Sequence, residues 1–336
     1  MLPDILIFLS AAVVIGYVGT KMTYQADVLA DLTGWGEAFI GAVFLGASTS
    51  LPGITASVVA AADGRPTLAL SNALGGIAAQ TLFLAAADSA YRKINLEHAA
   101  ASVENLLQGT LLISLLAMLM FAMVGPDISF LGVNPITPLL FIAYFFGLKL
   151  IRQSHKNPMW VPRETKETKL DTPDDENKDQ SLKKVWIKFI VGAAIIIAAG
   201  WFLVKAAEGL ADKTGINESL IGGLLVAITT SLPELVTSIA AVRRGALTLA
   251  VGGILGGNAF DTLFAAVADI SYREGSIYHA ASKSETLLIA VTVLMTSILI
   301  MGLIKRQKKG IANIGFESFL IVVVYIAGFL TINFLI

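Results

Sequence analysis

Cysteine is absent from the 336 residues, which excludes disulfides and thiolate metal sites. Charge is scarce: Asp, Glu, Lys and Arg make up 15% of the chain, with a formal net charge of −1. No basic stripe suited to nucleic acid lies outside one central loop. A phosphate loop is also missing, so nucleotide-driven work, an enzymatic role and a bound cofactor are not expected. What the chain has instead is apolar residue: 55% is hydrophobic, mean hydropathy is +0.75, and the apolar runs reach membrane-spanning length. The composition is that of an all-α integral membrane protein.

Ten spans are expected, at roughly 2–20, 38–62, 67–87, 105–125, 128–150, 185–207, 219–242, 247–268, 286–304 and 314–336. Leu2-Pro3-Asp4 is not the positive start of a secretion signal, so the first span is kept and no cleavage is expected. The stretch 151–184, rich in Lys, Glu, Asp and Pro, reads as a mobile solvated linker between an N-terminal half, 1–150, and a C-terminal half, 185–336. Its acids Asp171, Asp174, Asp175, Glu176 and Asp179 sit close together but lack the glycine and spacing of a calcium loop. Counting basic residues on alternate sides of the spans puts Lys21, Arg92, Lys93, those from Lys149 to Lys188, Arg243, Arg244 and those from Lys305 to Lys309 together, 19 of the 24 Lys and Arg. That bias predicts a cytoplasmic 151–184 loop and both termini outside, in the cell (inner) membrane.

The chain repeats itself. Residues 29–107 and 210–288 align without a gap at an offset of 181, with about 36 of 79 positions identical. Thr49-Ser50-Leu51-Pro52-Gly53 matches Thr230-Ser231-Leu232-Pro233-Glu234, and Gly75-Gly76-Ile77-Ala78-Ala79-Gln80 matches Gly256-Gly257-Asn258-Ala259-Phe260-Asp261. Gly53 therefore faces Glu234, Ile77 faces Asn258 and Gln80 faces Asp261. Five spans per half turn the second half upside down, giving an inverted repeat whose site is expected near the midplane. Pro52 lies about 11 residues from the turn at Asp63, and Pro233 about 11 from Arg244, roughly 16 Å at the helical rise.

Proline inside a helix frees a carbonyl, and in lipid a desolvated cation can satisfy it. The hydroxyls of Ser48-Thr49-Ser50 and Thr229-Thr230-Ser231 add oxygen on the same turn, of the kind hard cations prefer. Asn258 and Asp261, three apart, share a helix face, and the paired glycines allow close helix approach. Glu234 and Asp261 would converge in the membrane. Carboxylates there are costly unless compensated, which marks a functional site. The two cannot both ionise cheaply side by side, so one of them is expected to hold a proton near neutrality, which favours proton coupling.

These residues resemble the cation/Ca2+ exchanger superfamily, which includes the Na+/Ca2+ and H+/Ca2+ exchangers. Ser-Leu-Pro-Glu followed by Asn258 and Asp261 behind a Gly-Gly pair looks like one of its alpha repeats. The resemblance implies ten transmembrane helices in two inverted five-helix repeats, with alpha repeats at about 38–88 and 219–269. It implies a cation site of Glu234, Thr230, Ser231, Asn258 and Asp261 from the second repeat and Thr49, Ser50 and Gln80 from the first. The carbonyls of Gly46 and Ala227 are further ligands on this account. It also implies alternating access by sliding of spans 1 and 6. This chain departs from the pattern at Gly53, Ile77, Gly76 and Gly257, where acid, amide and hydroxyl are missing.

Three readings follow. The first is a secondary antiporter exchanging Na+ or H+ against Ca2+ or another cation, with a monovalent-only variant. The second is a cation channel, and the third a diverged membrane protein that does not transport. Gly53 either admits a neighbouring helix or opens space for an ion. Asp88, Tyr91, Arg92, His98 and Glu104 recur as Asp269, Tyr272, Arg273, His279 and Glu285. The Asp-to-Arg spacing of four predicts surface ion pairs, with pH sensing by the histidines as the alternative. Asp31, Glu37, Asp212 and Glu218 read as solvated helix starts or as mouths that draw cations in.

Overall fold

The computed structural model describes residues 1–91, 93–169, 177, 179–214, 223–310 and 314–335. Their regular structure is helical, and the isolated bridge between Phe130 and Val133 is the one strand-like pairing among them. The helices are α1 (Leu2–Thr33), α2 (Glu37–Ile40), α3 (Ala47–Ala62), α4 (Pro66–Ala90), α5 (Leu96–Ala99), α6 (Val103–Val124) and α7 (Ile136–Lys156), followed by α8 (Leu182–Thr214), α9 (Gly223–Thr230), α10 (Leu232–Arg244), α11 (Leu247–Ser271), α12 (Lys283–Lys305) and α13 (Phe316–Leu335). Among the described residues, eight helical stretches are long and apolar enough to cross a membrane: α1, Glu37–Ala62, α4, α6, α7, Leu182–Ala207, α11 and α12. Of the other expected spans, 219–242 is occupied by α9 and α10 and lies partly outside the described residues, and 314–336 by α13.

Local signals end the helices. Pro3 opens α1 and Gly34, at φ 61°, closes it in the left-handed region. Ser282 and Glu285 form a reciprocal capping box on α12, and Gly245, at φ 86°, ends α10. The two proline motifs behave differently. In the second half the helix breaks at Ser231 and Pro233 sits in the first turn of α10, where its missing N–H costs nothing. In the first half no break occurs at Pro52, contrary to expectation; α3 runs through it. The irregularity lies a turn earlier, in a π-helical segment Gly41–Gly46 between α2 and α3.

The core is formed by α4 and α11, whose apolar windows are 78% and 89% buried, against 17% for α1. Missing side chains let backbones meet. A Cβ on Gly46 would stand 2.8 Å from Gly253 O and from Gly257 Cα, and one on Gly41 would stand 2.8 Å from Leu249 O, so the π segment lies directly on α11. The outer helices use the same device: Gly200 of α8 receives the ring of Pro52, and Gly19 of α1 faces Val236 and Thr237. Gly19 and Gly200 are themselves 181 apart.

That offset reappears in the hydrogen bonds. Asp88 accepts from Leu96 N, Gly315 N and Ser318 Oγ at 2.8, 3.1 and 2.8 Å. Asp269 accepts from Ile277 N, Asn134 N and Thr137 Oγ1 at 3.0, 2.8 and 2.6 Å. Each partner in one set is 181 residues from its counterpart in the other. The expected ion pairs with Arg92 and Arg273 give way to backbone capping, in which each acid ties its own half to the other; Arg92 itself lies outside the described residues. The histidines follow suit, with His98 against Arg306 O and His279 against Gly125 O.

Part of the linker is docked rather than solvated. Thr165 meets His98 Nε2 at 2.9 Å, Lys169 N donates to Ala99 O at 3.1 Å, and Lys308 pairs with Glu167 at 3.0 Å. These contacts bring 163–169, α5 and the α12–α13 connection together. Asp171, Asp174, Asp175 and Glu176 lie outside the described residues, as do Glu218 and the side chain of Asp212. Glu37 accepts from Leu249 N at 3.0 Å and Asp31 from Asn177 Nδ2 at 2.6 Å, so both serve as local anchors.

Candidate functional site

Where α3, α4, α10 and α11 meet, Ser50, Gln80, Thr230, Ser231, Glu234 and Asp261 line a small cavity of about 10 Å3, room for roughly one water-sized particle. The break at Ser231 delivers Thr230 and Ser231 to the cavity mouth and starts α10 so that Glu234, in its first turn, points inward. The side chains of both Glu234 and Asp261 are buried, at 2% exposure each. Neither has a basic partner among the described residues. Leaving two carboxylates in a low-dielectric interior without compensation costs several kcal/mol for each ion, by the usual order of magnitude.

Their hydrogen bonds are incomplete in a particular way. Ser50 Oγ donates to Glu234 Oε1 at 2.9 Å, and Gln80 Nε2 donates to Asp261 Oδ2 at 2.6 Å and to Ser231 Oγ at 3.4 Å. One oxygen of each group is left over: Glu234 Oε2, Asp261 Oδ1 and Gln80 Oε1 are buried without a partner, as is Asn258 Oδ1 next door. Such groups are rare in native proteins because each forfeits its hydration. Acceptors that share one cavity and lack donors can be satisfied together by a small cation.

Six of the ten residues proposed from sequence therefore line the cavity. The other four do not. Thr49 turns its hydroxyl back to Leu45 O and Gly46 O, at 3.0 and 2.9 Å, and so occupies the Gly46 carbonyl. Thr230 Oγ1 takes up Ala227 O in the same manner at 2.9 Å. Asn258 donates to Thr81 Oγ1 at 2.9 Å and lies one layer behind.

Two lining residues escaped the sequence reading. Asn72 donates to Gly53 O at 3.0 Å and Ser57 Oγ at 2.9 Å, with its own Oδ1 unpartnered beside the cavity. Phe264 fills the space opposite Gly53: a Cβ there would stand 2.8 Å from Phe264 Cε2. A side chain at Gly53, which itself lines the cavity, would thus meet an aromatic ring from α11, so both close packing and the cavity border on that glycine.

Comparison with known proteins identifies the family of the chain. The family described as Sodium/calcium exchanger protein matches residues 4–151 and 184–334. Among curated relatives, the antiporter candidate CaxA of Alkalimonas amylolytica is 28% identical over 86% of this chain and 88% of its own. The sodium/calcium exchanger MaX1 of Methanosarcina acetivorans is 27% identical over 55% of each chain. Among solved structures, the sodium-calcium exchanger NCX_Mj soaked with Na+ superposes with a TM-score of 0.70 at 22% identity, covering 96% of this chain and 97% of that one.

Proposed function

Since this chain belongs to the sodium/calcium exchanger family, we infer that it is a secondary active antiporter that exchanges Na+ or H+ against Ca2+ or another cation at the Glu234–Asp261 cavity. The observation that carries this reading is the set of buried, donorless oxygens on Glu234, Asp261 and Gln80 around one small space. Two carboxylates balance one divalent ion, or one monovalent ion and a proton. Ions that neutralise the same pair compete for it, and that competition is what couples their opposite movements.

In this reading the chain crosses the membrane ten times, as two inverted halves with both termini outside and the 151–184 loop in the cytoplasm. The 181-residue offset shared by the Asp88 and Asp269 clamps supports two equivalent halves that contact each other reciprocally. Access alternates as α1 and α8 shift against α10 and α3. Gly19 and Gly200, which carry no side chain of their own, let α1 and α8 pack closely on Val236 and Thr237 of α10 and on Pro52 of α3.

Counterflow in proteoliposomes tests the inference. Exchange should require cation on both sides and should fall at least tenfold in Glu234→Gln and in Asp261→Asn. Wild-type rates in both variants would remove these acids from the transport path, and uptake without a counter-ion would make the protein a channel.

A further inference from the structure

Among the places where the matched contacts around Asp88 and Asp269 differ, one changes the number of buried carboxyl groups. Beyond Asp269, the hydroxyl of buried Tyr278 meets Thr137 Oγ1 at 3.0 Å, and the neighbouring position on α7 is Ile136. Beyond Asp88, the residues at the same offset of 181 are Glu97 and Glu317. An end that is neutral in one half holds two extra carboxyl groups in the other.

Glu97 is 1% exposed and Glu317 0%. All four of their side-chain oxygens are buried without a hydrogen-bond partner, and Asp88, by holding Leu96 N and Ser318 Oγ at once, makes the two acids neighbours. Glu317 is seated on glycine: a Cβ on Gly302 would stand 2.5 Å from its Cγ, and one on Gly315 would overlap its Oε1. The pocket is therefore shaped around this acid.

Charges on the surrounding elements are directed elsewhere. From α4, Asp88 spends both oxygens on Leu96, Gly315 and Ser318. On α5, the His98 ring lies between Arg306 O and Thr165 Oγ1. Past α12, Lys305 is exposed, the Arg306 guanidinium serves the carbonyls of His98 and Arg163 and the Thr168 hydroxyl, and Lys308 pairs with Glu167. On α13, Tyr325 is the remaining titratable group.

We propose that Glu97 and Glu317 form a proton-binding site, separate from the Glu234–Asp261 cavity, in which one shared proton bridges the two carboxyls and holds the α4–α5 corner against the start of α13. A proton suits the pair better than a metal ion: one hydrogen between two neighbouring buried carboxyls satisfies both, while a metal ion would need several more oxygens and both Asp88 oxygens already accept from Leu96, Gly315 and Ser318. The same corner anchors 163–169 through His98 and Arg306, so loss of the proton sets two buried negative charges against each other beneath the docked start of the linker.

Burial, then the neighbouring Asp88 and Glu317, pushes the Glu97 carboxyl well above the usual carboxylate range. The folded chain then holds a proton that the unfolded chain has released. Stability from this site is greatest below the ordinary glutamate value of 4.5, falls as pH rises toward the folded value, and levels off beyond it. A surface acid paired to a base has the opposite slope.

The test is the thermal midpoint of the full-length protein in detergent as a function of pH, with infrared detection of protonated carboxyl. Variants are Glu97→Gln, Glu317→Gln and the double change Glu97→Tyr with Glu317→Ile, which copies the neutral end and keeps the test open if the single variants fail to fold. The wild-type midpoint should fall as pH rises, with the slope at least halved in each variant that folds and one protonated-carboxyl band lost. An equal slope in the variants, or no band difference, overturns the proposal. So does a midpoint raised by Na+ or Ca2+ only when Glu97 is present, which would make the pair a metal site. None of these readouts depends on transport, so they stand or fall apart from the central site.

Discussion

Gly53 and Phe264 show how one position sets the charge of the whole site. The duplication gives Glu234 its counterpart at Gly53, yet a side chain there would meet the Phe264 ring. Adding an acid alone should not enlarge the ligand set. Gly53→Glu is expected to lower stability by about 1–3 kcal/mol through overpacking and to leave divalent affinity unchanged in a calcium titration. Combined with Phe264→Ala, which opens the space, it should raise that affinity; a gain from Gly53→Glu alone would show that the ring yields freely. At this scale the acids were legible in the sequence, because Glu234 and Asp261 stand out against an otherwise apolar repeat. Phe264 was not, since its repeat partner Phe83 is identical and reads as plain core. Asn72 was hidden for the opposite reason, as its partner Gly253 has no side chain to compare.

Among the elements, the contact between the π segment Gly41–Gly46 and α11 governs how closely the two halves approach. Backbone there meets backbone, so the surroundings cannot relax by rotating a side chain. Gly46→Ala should cost about 1–3 kcal/mol, read as a lowered melting temperature with loss of ion binding, while Gly16→Ala, with nothing within 4 Å of its Cβ, should change neither. Equal melting of the two variants would mean that the packing is looser than the distances indicate. The helices themselves were legible from apolar run length and from turns such as Asp63-Gly64. The uneven fate of the two prolines was not. Identical Ser-Leu-Pro motifs lead to a break at Ser231 and a continuous α3, because the neighbouring helices, with Gly200 cradling Pro52 on one side, decide which backbone is tolerated. Neither could the acids at the ends of α4 and α11 be read correctly. An arginine four residues on suggests an ion pair, whereas the real partners are amides eight residues away and in the opposite half.

At the level of the whole molecule, two related halves are tied together by Asp88 and Asp269 and both line the small Glu234–Asp261 cavity. The halves supply unequal chemistry: both carboxylates come from the second, while the first contributes the amide of Gln80 and the hydroxyl of Ser50 that orient them. An exchanger built this way should hold one cation per chain at a time, in a site that fails when either acid is neutralised. Binding calorimetry on the purified protein with Na+, K+, Li+, Ca2+, Mg2+ and Mn2+ at two pH values measures that directly. The account predicts saturable binding of at least one of these ions at one per chain, abolished in Glu234→Gln and in Asp261→Asn. Binding that persists unchanged in both variants, or no binding of any of the six ions to the wild type, would contradict it.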